Sequence, residues 1–551
     1  MSKNISALSG RKGIDESLFE KMGQLTEPEG FLTKEAAQKL ADEYLIGDAS
    51  VYGASTFYDF TRPENKGKKV YICNGSACMC AGTQEDLRKE LSQHFKAEEI
   101  GEMCCLGRCH ENSAFYYDGH NYSGKDAVHK LFGNGQAATA HQDAYNFEAA
   151  GAGIIAGAGY SLDQCREIVE KMLATPPEKV LEEIKTSGLR GRGGAGFPIG
   201  IKLEGCRKAK GEPKFIVCNA DEGDPGSYSD RWVLEQRPYA MMLGMLIAGY
   251  ATGADRGVVY LRYEYPESIA INNEVISSLR NAGLLGNDIL GSGFNFEIKV
   301  VKARGAYICG EETALLSSLE GQRPEVRVRP PYPVNYGLFG KPTVVNNVET
   351  LANLPWILTN GGAAFANIGR GRSTGTKLLS LDSAFNKPGV YEVDMGTPLS
   401  QVVNELGGGF RKGVKALHIG GPLGGLVPVH KIQDLTVDFE SFANNGFLLG
   451  HASIVSVPEN YPMVAYLEHL FAFTAHESCG KCFPCRIGSV RGKELLQKAQ
   501  KEDFKIDRQL FEDLLFTLKS GSLCALGGGI PLPVYNALEY FEEELKGYFE
   551  G

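Results

Sequence analysis

Long hydrophobic runs and an excess of basic residues are both missing from this chain. Its most apolar stretch, residues 239–251, is well short of the roughly 20 residues that a membrane helix needs. The first residues contain no apolar region of the kind found in signal peptides. The net charge of −10 disfavours a nucleic-acid partner, because phosphates demand a basic surface. We therefore expect a cytoplasmic protein with no membrane span and no bound nucleic acid.

The composition is that of a large globular protein with an unusual distribution of cysteine. The 551 residues are 43% hydrophobic and 23% charged, and a chain of this length has room for about three or four domains. Eight of the fourteen cysteines fall into two sets, one near each end. In a reducing compartment, clustered cysteines bind metal or do redox work more often than they cross-link.

The set near the C-terminus has the more specific spacing. Three cysteines follow the pattern C-x-x-C-x-x-C and a fourth lies further on: Cys479, Cys482, Cys485 and Cys524. A compact triplet with one remote thiolate is typical of a 4Fe–4S cluster. Structural zinc is the alternative, but zinc usually takes two separated pairs.

The set near the N-terminus consists of two pairs. They are Cys73 with Cys78 and Cys105 with Cys109. This arrangement suits a 2Fe–2S cluster, in which each pair holds one iron. The neighbouring Cys80 and Cys104 leave the choice of ligands open, and zinc or disulfides are the other interpretations.

Between the two sets, strand-like and helix-like stretches alternate from residue 214 to residue 303. This alternation predicts an α/β domain with a largely parallel sheet. A glycine-rich segment, GLRGRGGAGF at 188–197, permits a close backbone approach to a phosphate. A tight surface loop is the simpler interpretation of that segment taken alone.

Several segments together resemble a known family. They are GLRGRGGAGF, CNADEGDPGSYSDR, YICGEETALLSSLEG, RPPYPVNYGLFGKPTVVNNVETL and ESCGKCFPCRIG. They look like the NADH-binding flavoprotein subunit of respiratory complex I and the related diaphorase subunits of NAD-linked hydrogenases and formate dehydrogenases. The N-terminal cysteines with DASVYGASTFYDF resemble the thioredoxin-like 2Fe–2S subunit that accompanies this flavoprotein. Here the two are fused.

The resemblance implies a multidomain α/β fold. Its expected parts are a helical and thioredoxin-like 2Fe–2S domain (1–132), a Gly/Ala-rich linker (133–160), a Rossmann-like FMN- and NAD-binding domain (161–370), a β-grasp module (371–460) and a helical 4Fe–4S domain (461–551).

The resemblance also implies the site residues. Those expected at FMN are Gly191, Gly193, Gly194, Gly196, Lys202, Asn219, Asp221, Glu222, Asn346 and Asn347. Those expected at the nucleotide are Phe197, Glu312, Arg329 and Tyr332, and Gly310 and Glu311 are expected to bind one of the two cofactors. Glu222 is the candidate catalytic residue, because the family places its charge beside both the flavin and the dinucleotide.

The implied activity is reversible hydride transfer between NAD(H) and FMN, followed by one-electron transfer through the clusters. Electrons would then reach a partner such as a hydrogenase or formate dehydrogenase, with or without bifurcation. Two alternatives remain open: a non-catalytic iron–sulfur scaffold and a stand-alone enzyme that reduces ferredoxin. The preference between NADH and NADPH is also open.

Overall fold

The computed structural model describes residues 8, 10–26, 30–133 and 143–551. Residues 134–142, which belong to the predicted linker, lie outside that description. The chain forms three main sheets surrounded by helices, which confirms the predicted multidomain α/β fold. No helix in the described part of the chain is both long and apolar enough to cross a membrane.

The N-terminal cysteines lie on a small domain built around a four-stranded sheet. Its strands, in spatial order, are Ile100–Met103, Val70–Cys73, Phe115–Tyr117 and His120–Tyr122. The first two are parallel and the remaining pairs are antiparallel. The helices are Ser76–Ala81, Gln84–Leu91 and Ala127–Phe132. The predicted strand leading into a cysteine loop is confirmed by Val70–Cys73.

The helices that precede this sheet pack elsewhere. Leu18–Thr26, Lys34–Tyr44 and Asp48–Ser55 share a core with the central domain rather than with the thioredoxin-like sheet. Phe19 is fully buried, with its ring 5.5 Å from that of Tyr58 and 6.1 Å from that of Tyr260 on a central strand. The apolar faces of these amphipathic helices are therefore buried against the central sheet.

The central domain contains a sheet of four parallel strands. In spatial order they are Glu297–Lys302, Arg256–Leu261, Phe215–Ala220 and Thr343–Asn347. Its main helices are Leu162–Ala174, Pro177–Thr186, Ile199–Lys208, Ser229–Gln236, Pro238–Thr252, Pro266–Asn281, Glu312–Leu319, Val348–Ala352, Leu354–Asn360 and Gly362–Ala366. The most apolar stretch of the sequence forms Pro238–Thr252, which is buried along nearly its whole length.

A second, mixed sheet of six strands follows in the chain. In spatial order they are Gly425–Pro428, Val414–Ile419, Ser453–Pro458, Thr376–Leu381, Gly389–Asp394 and Asn146–Ala150. The last of these comes from the predicted linker and pairs in parallel with Gly389–Asp394. Glu392 anchors the next residues, because its carboxylate accepts hydrogen bonds from the backbone N–H groups of Ile155 (2.8 Å) and Ala156 (2.7 Å).

The C-terminal part is helical, as the spacing of apolar residues predicts. Its helices are Met463–Glu477, Phe483–Lys501, Arg508–Gly521, Ala525–Gly529, Pro531–Tyr540 and Glu542–Leu545. They share one buried core, which also includes Leu426 of the six-stranded sheet. The C-terminal cysteines lie at the edge of this bundle that faces the central domain.

Replacing Phe19 by alanine tests the attachment of the N-terminal helices. Removing a fully buried phenylalanine costs about 3–5 kcal/mol, so we expect a lower thermal midpoint and faster hydrogen exchange in residues 18–26 and 34–58. Leu25→Ala on the same helix is the matched control, because Leu25 is already exposed. Equal exchange rates in the two variants would contradict the packing described here.

Candidate redox centre

The carboxyl edge of the parallel sheet collects the polar residues predicted at the flavin. Asn219 and Asn347 are register neighbours on adjacent strands. Asp221 lies two residues after Asn219, and its backbone N–H donates to Asn219 Oδ1 (3.2 Å). Ligands of open α/β sheets bind beyond the carboxyl ends of the strands, so this edge is the expected place for a cofactor.

The glycine-rich segment lies against the same edge. A methyl group at Gly193 would be 2.8 Å from Asn347 Cβ, whereas one at Gly194 would point into open space. Gly194 and Gly196 have φ of 127° and 58°, a region that favours glycine. The predicted loop therefore reaches the sheet edge with its backbone exposed on one side.

Two buried polar atoms at this edge have no hydrogen-bond partner within the described residues. They are the amide nitrogen Nδ2 of Asn346 and the carboxyl oxygen Oδ2 of Asp221. Burial also raises the pKa of Asp221 well above its ordinary value. Buried polar groups normally find partners, so the ribityl hydroxyls of FMN, which both donate and accept hydrogen bonds, fit these two atoms beside the open side of the glycine loop.

Glu222 is bound on all sides by protein donors. Its carboxylate accepts hydrogen bonds from the backbone N–H groups of Asp230 (2.8 Å) and Arg231 (2.9 Å) at the start of Ser229–Gln236. The hydroxyls of Ser227 (2.5 Å) and Tyr265 (3.2 Å) also donate to it. Burial raises the pKa of Glu222, while the Ser227 hydroxyl and the Asp230 N–H act in the opposite direction.

This geometry makes Glu222 the anchor of the flavin loop, defined as residues 219–224. Its carboxylate is engaged with the protein, so its influence on a bound ligand would be exerted through charge and loop position. Its predicted catalytic role stays a prediction.

An ion-pair cluster flanks the loop on the side predicted to bind the nucleotide. Glu312 accepts from Lys202 Nζ (2.9 Å) and from Arg329 Nη1 (2.8 Å). Burial opposes its ionisation, but these two cations outweigh burial and hold the pKa of Glu312 below its ordinary value. Two aromatic side chains predicted to stack on the nucleotide, Phe197 and Tyr332, are 47% and 54% exposed. Planar rings open to solvent are available for stacking.

Gly310 and Glu311 lie between these parts. The carbonyl of Gly310 accepts from Asn219 Nδ2 (2.7 Å). Glu311 caps Glu312–Leu319, because its carboxylate accepts from the backbone N–H groups of Thr313 and Ala314, each at 2.9 Å. The predicted flavin and nucleotide residues are therefore brought together at one edge, and their individual roles stay predictions.

The four N-terminal cysteines predicted as ligands are all almost completely buried. Cys105 Sγ lies 3.4 Å from Cys109 Sγ, which is far longer than the roughly 2.05 Å of a disulfide. Gly107, with φ of 66°, makes the turn between them. All fourteen cysteines of the chain have free thiols. Four converging thiols in an apolar core suit a 2Fe–2S cluster.

The C-terminal cysteines come together from two separate segments. Cys482 immediately precedes Phe483–Lys501, and Cys524 immediately precedes Ala525–Gly529. A methyl group at Gly527 would lie 2.7 Å from Cys485 Cβ, so glycine permits this approach. Burial raises the pKa of the Cys485 thiol to about 11 and that of Cys524 to about 12. Such thiols ionise when a metal supplies compensating positive charge, which fits a bound cluster.

Tyr307 is a connecting residue that the sequence interpretation missed. Its hydroxyl donates to Asp224 Oδ1 in the flavin loop (2.8 Å), and its backbone N–H donates to Glu477 Oε2 (2.8 Å), two residues before Cys479. Its ring lies 4.9 Å from that of Phe473. The sequence signal was its position at the head of YICGEE, but only the fold places it between the flavin loop and the C-terminal cysteines.

Adjacent cysteines provide a matched test of the N-terminal set. Cys105→Ser should abolish the 2Fe–2S cluster, because it removes one of the converging thiols. Cys104→Ser should retain it, since Cys104 is predicted not to be a ligand. Iron content and low-temperature EPR of the reduced protein measure both. Loss of iron in Cys104→Ser, with iron retained in Cys105→Ser, would reverse the ligand assignment.

Cys482→Ala tests the C-terminal set. We expect loss of the 4Fe–4S signal and of about four irons per chain, with flavin and the 2Fe–2S signal retained. Cys206→Ser is the control, because Cys206 is buried in the central domain, away from both sets. An unchanged 4Fe–4S spectrum in Cys482→Ala would rule out this ligand set.

Three family models match the chain. They describe a thioredoxin-like 2Fe-2S ferredoxin (residues 7–129), a Nuo51 FMN-binding domain (184–356) and an NADH-ubiquinone oxidoreductase-F iron-sulfur binding region (465–548). These matches confirm the resemblance, and they favour iron–sulfur clusters over zinc at both cysteine sets.

Individual relatives agree with the family models. The chain is 43% identical to the HndC protein of the NADP-reducing hydrogenase of Solidesulfovibrio fructosivorans over 387 residues, which are 70% of this chain and 79% of that protein. It is 40% identical to an NADH-quinone oxidoreductase subunit of Rhizobium meliloti over 398 residues, 72% of this chain and 93% of that protein.

A solved structure extends the match to nearly the whole chain. A chain of an NAD+-reducing NiFe hydrogenase in the H2-reduced state superposes with a TM-score of 0.84 at 27% identity, covering 97% of this chain and 92% of that one. The fused arrangement of domains therefore has a structural counterpart. This chain belongs to the family of FMN- and iron–sulfur-binding NADH dehydrogenase flavoproteins, with a thioredoxin-like 2Fe–2S domain in the same polypeptide.

Proposed function

We propose that this chain is the diaphorase subunit of a larger cytoplasmic redox complex. It exchanges hydride between NAD(H) and FMN at the carboxyl edge of the central sheet and moves single electrons to or from a partner subunit. The observation that carries this proposal is the pair of unsatisfied buried polar atoms on Asn346 and Asp221, at an edge that contacts both cysteine regions.

The protein contributes binding and orientation rather than acid–base chemistry. When bound, FMN supplies the chemistry that joins two-electron exchange with NAD(H) to one-electron exchange with clusters. Asn219, Asn347 and the glycine loop would hold it, while the donors around Glu222 fix the loop on which it rests. Phe197 and Tyr332 would stack on the nucleotide beside the Lys202–Glu312–Arg329 ion pairs.

The flavin loop has a short connection to the C-terminal cysteines. Tyr307 contacts Asp224, Glu477 and Phe473, so it fills the space between the flavin loop and the segment that leads into Cys479. A packed, hydrogen-bonded contact of this kind keeps the two sites close and fixed. We therefore assign the C-terminal cluster as the immediate exchange partner of FMN.

The surface of the C-terminal bundle supports a partner subunit. Apolar side chains are exposed on and beside the helices that hold the cluster cysteines: Phe483, Ile487, Leu510, Phe516 and Leu523. A cleft of about 260 Å³ between two of these helices includes Leu510 and Leu514. Exposed apolar patches mark interaction surfaces, and this one is adjacent to the proposed exit of electrons.

The partner is best sought among hydrogenases, formate dehydrogenases and similar redox subunits. The named relatives are subunits of a hydrogenase and of NADH-quinone oxidoreductase. A stand-alone enzyme that delivers electrons to ferredoxin is the second candidate. A stand-alone enzyme would leave the apolar surface beside Cys482 exposed to solvent. This exposed surface therefore favours the first candidate, a subunit of a larger redox complex.

Anaerobic purification of the native protein tests the proposal. We expect stoichiometric FMN, about six irons per chain, and bleaching of the flavin and cluster absorbance by NADH, together with co-purification of another redox subunit. Bound clusters without FMN would instead support an iron–sulfur scaffold. A chain that reduces ferredoxin without a partner would support the stand-alone enzyme.

Glu312→Gln tests the nucleotide side of the site. Hydrogen bonds to charged groups contribute about 1.5–3 kcal/mol, and about 1.4 kcal/mol corresponds to tenfold in affinity. We therefore expect the KM for NADH to rise about tenfold or more, with FMN content unchanged. The matched control is Glu204→Gln, which removes an ion pair with Lys208 on the helix that also carries Lys202. Equal KM values in both variants would place Glu312 away from the nucleotide.

Phe516→Glu tests the exposed surface of the C-terminal bundle. Phe516 is 65% exposed, so the change should leave the fold intact while placing a charge in a partner contact. We expect association with the partner to weaken at least about tenfold, with NADH-dependent reduction of ferricyanide unaffected. Leu25→Glu, on an exposed position of the N-terminal helices, is the control. Undiminished association of the Phe516 variant would exclude this surface as the docking site.

A further inference from the structure

One buried side chain contacts both the flavin loop and the loop that carries the N-terminal cysteines. Arg262 comes immediately after the strand Arg256–Leu261. Its guanidinium donates to the backbone carbonyl of Glu222 through Nη1 and to that of Cys104 through Nη2 (3.4 Å). These carbonyls belong to segments more than one hundred residues apart, so Arg262 joins two predicted redox sites.

Arg262 keeps its charge in spite of burial. The residue is only 2% exposed, and its Nη2 donates to Glu264 Oε1 (2.7 Å). Burial disfavours the cation, but the Glu264 carboxylate acts most strongly in the opposite direction, and the pKa of Arg262 lies above its ordinary value. A guanidinium is therefore present in a medium where charges act over longer distances than they do in water.

Tyr265 reinforces the same connection. Its hydroxyl donates to Glu222 Oε2 (3.2 Å), and the Arg262 guanidinium lies 5.1 Å from the centre of its ring. On the other side it contacts the cysteine loop, because a methyl group at Gly107 would lie 2.6 Å from the Tyr265 hydroxyl oxygen. The position of Arg262 is thus fixed by packing from both loops.

We propose that Arg262 is a positioning residue that sets the reduction potentials of the 2Fe–2S cluster and of FMN together. An electron added to either group increases negative charge next to the guanidinium, and this interaction favours the reduced form of both. No bond forms or breaks at Arg262; it influences the uptake of electrons by each group, and NADH is the reductant that supplies them. This inference rests on the proposed function, since it requires both groups to be bound.

The effect should be confined to these two sites. The hydrogen bonds of Arg262 go to Glu222, Cys104 and Glu264. These residues belong to its own loop, the flavin loop and the 2Fe–2S loop. None of these residues belongs to the segments that carry Cys479, Cys482, Cys485 and Cys524. The 4Fe–4S cluster therefore serves as an internal reference within the same molecule.

Redox titration followed by EPR and visible absorbance tests the proposal on the holoprotein. In Arg262→Gln we expect the midpoint potentials of both the 2Fe–2S cluster and FMN to fall by more than the 4Fe–4S potential changes. Arg262→Lys, which keeps the charge, should remain closer to the wild type at both sites. An Arg262→Gln protein with full cofactor content and an unchanged potential at either site would overturn the proposal.

A second variant covers the case in which Arg262→Gln does not fold because Glu264 is left buried without its partner. Glu264→Gln keeps the hydrogen bond to Arg262 and removes the negative charge, so both potentials should rise. Unchanged potentials in this variant would also overturn the proposal. FMN and iron contents of the wild type, measured first, test the proposed function separately: their absence would refute that function.

Discussion

The burial of carboxylates at the carboxyl edge of the central sheet is the constraint on which the redox centre depends. Asp221 and Glu222 are both nearly inaccessible to solvent, and a buried carboxylate is costly unless donors surround it. For Glu222 those donors come from the start of Ser229–Gln236, from Ser227 and from Tyr265. Satisfying this one side chain fixes the flavin loop against a helix and against the loop after the neighbouring strand.

That fixed loop is the meeting point of three parts of the chain. Tyr307 connects it to the segment before Cys479, and the loop 262–265 connects it to the N-terminal cysteine loop. Both connections use hydrogen bonds, whose geometry is stricter than that of apolar packing. Electron transfer between sites demands constant separation, and these contacts provide it without contributing any reacting group.

The thioredoxin-like domain is held by more than its cysteine loop. The helices before it pack against the central sheet, and the segment after it adds the strand Asn146–Ala150 to the six-stranded sheet. Attachment on both sides along the chain reduces the freedom of the domain to move away. This explains how the fused chain keeps the N-terminal cysteines against the flavin loop.

The sequence by itself determined the two cysteine sets, the alternation of strands and helices in the central domain and the helical C-terminal part, because these depend on spacing within short segments. The residues expected around the glycine loop came from family resemblance, and their individual roles stay predictions. Only the tertiary structure decided that the linker contributes a strand, that the N-terminal helices pack on the central sheet and that Arg262 and Tyr307 connect the sites. Those features depend on contacts between segments distant in sequence, and a local pattern carries no information about which distant partner will satisfy a buried group.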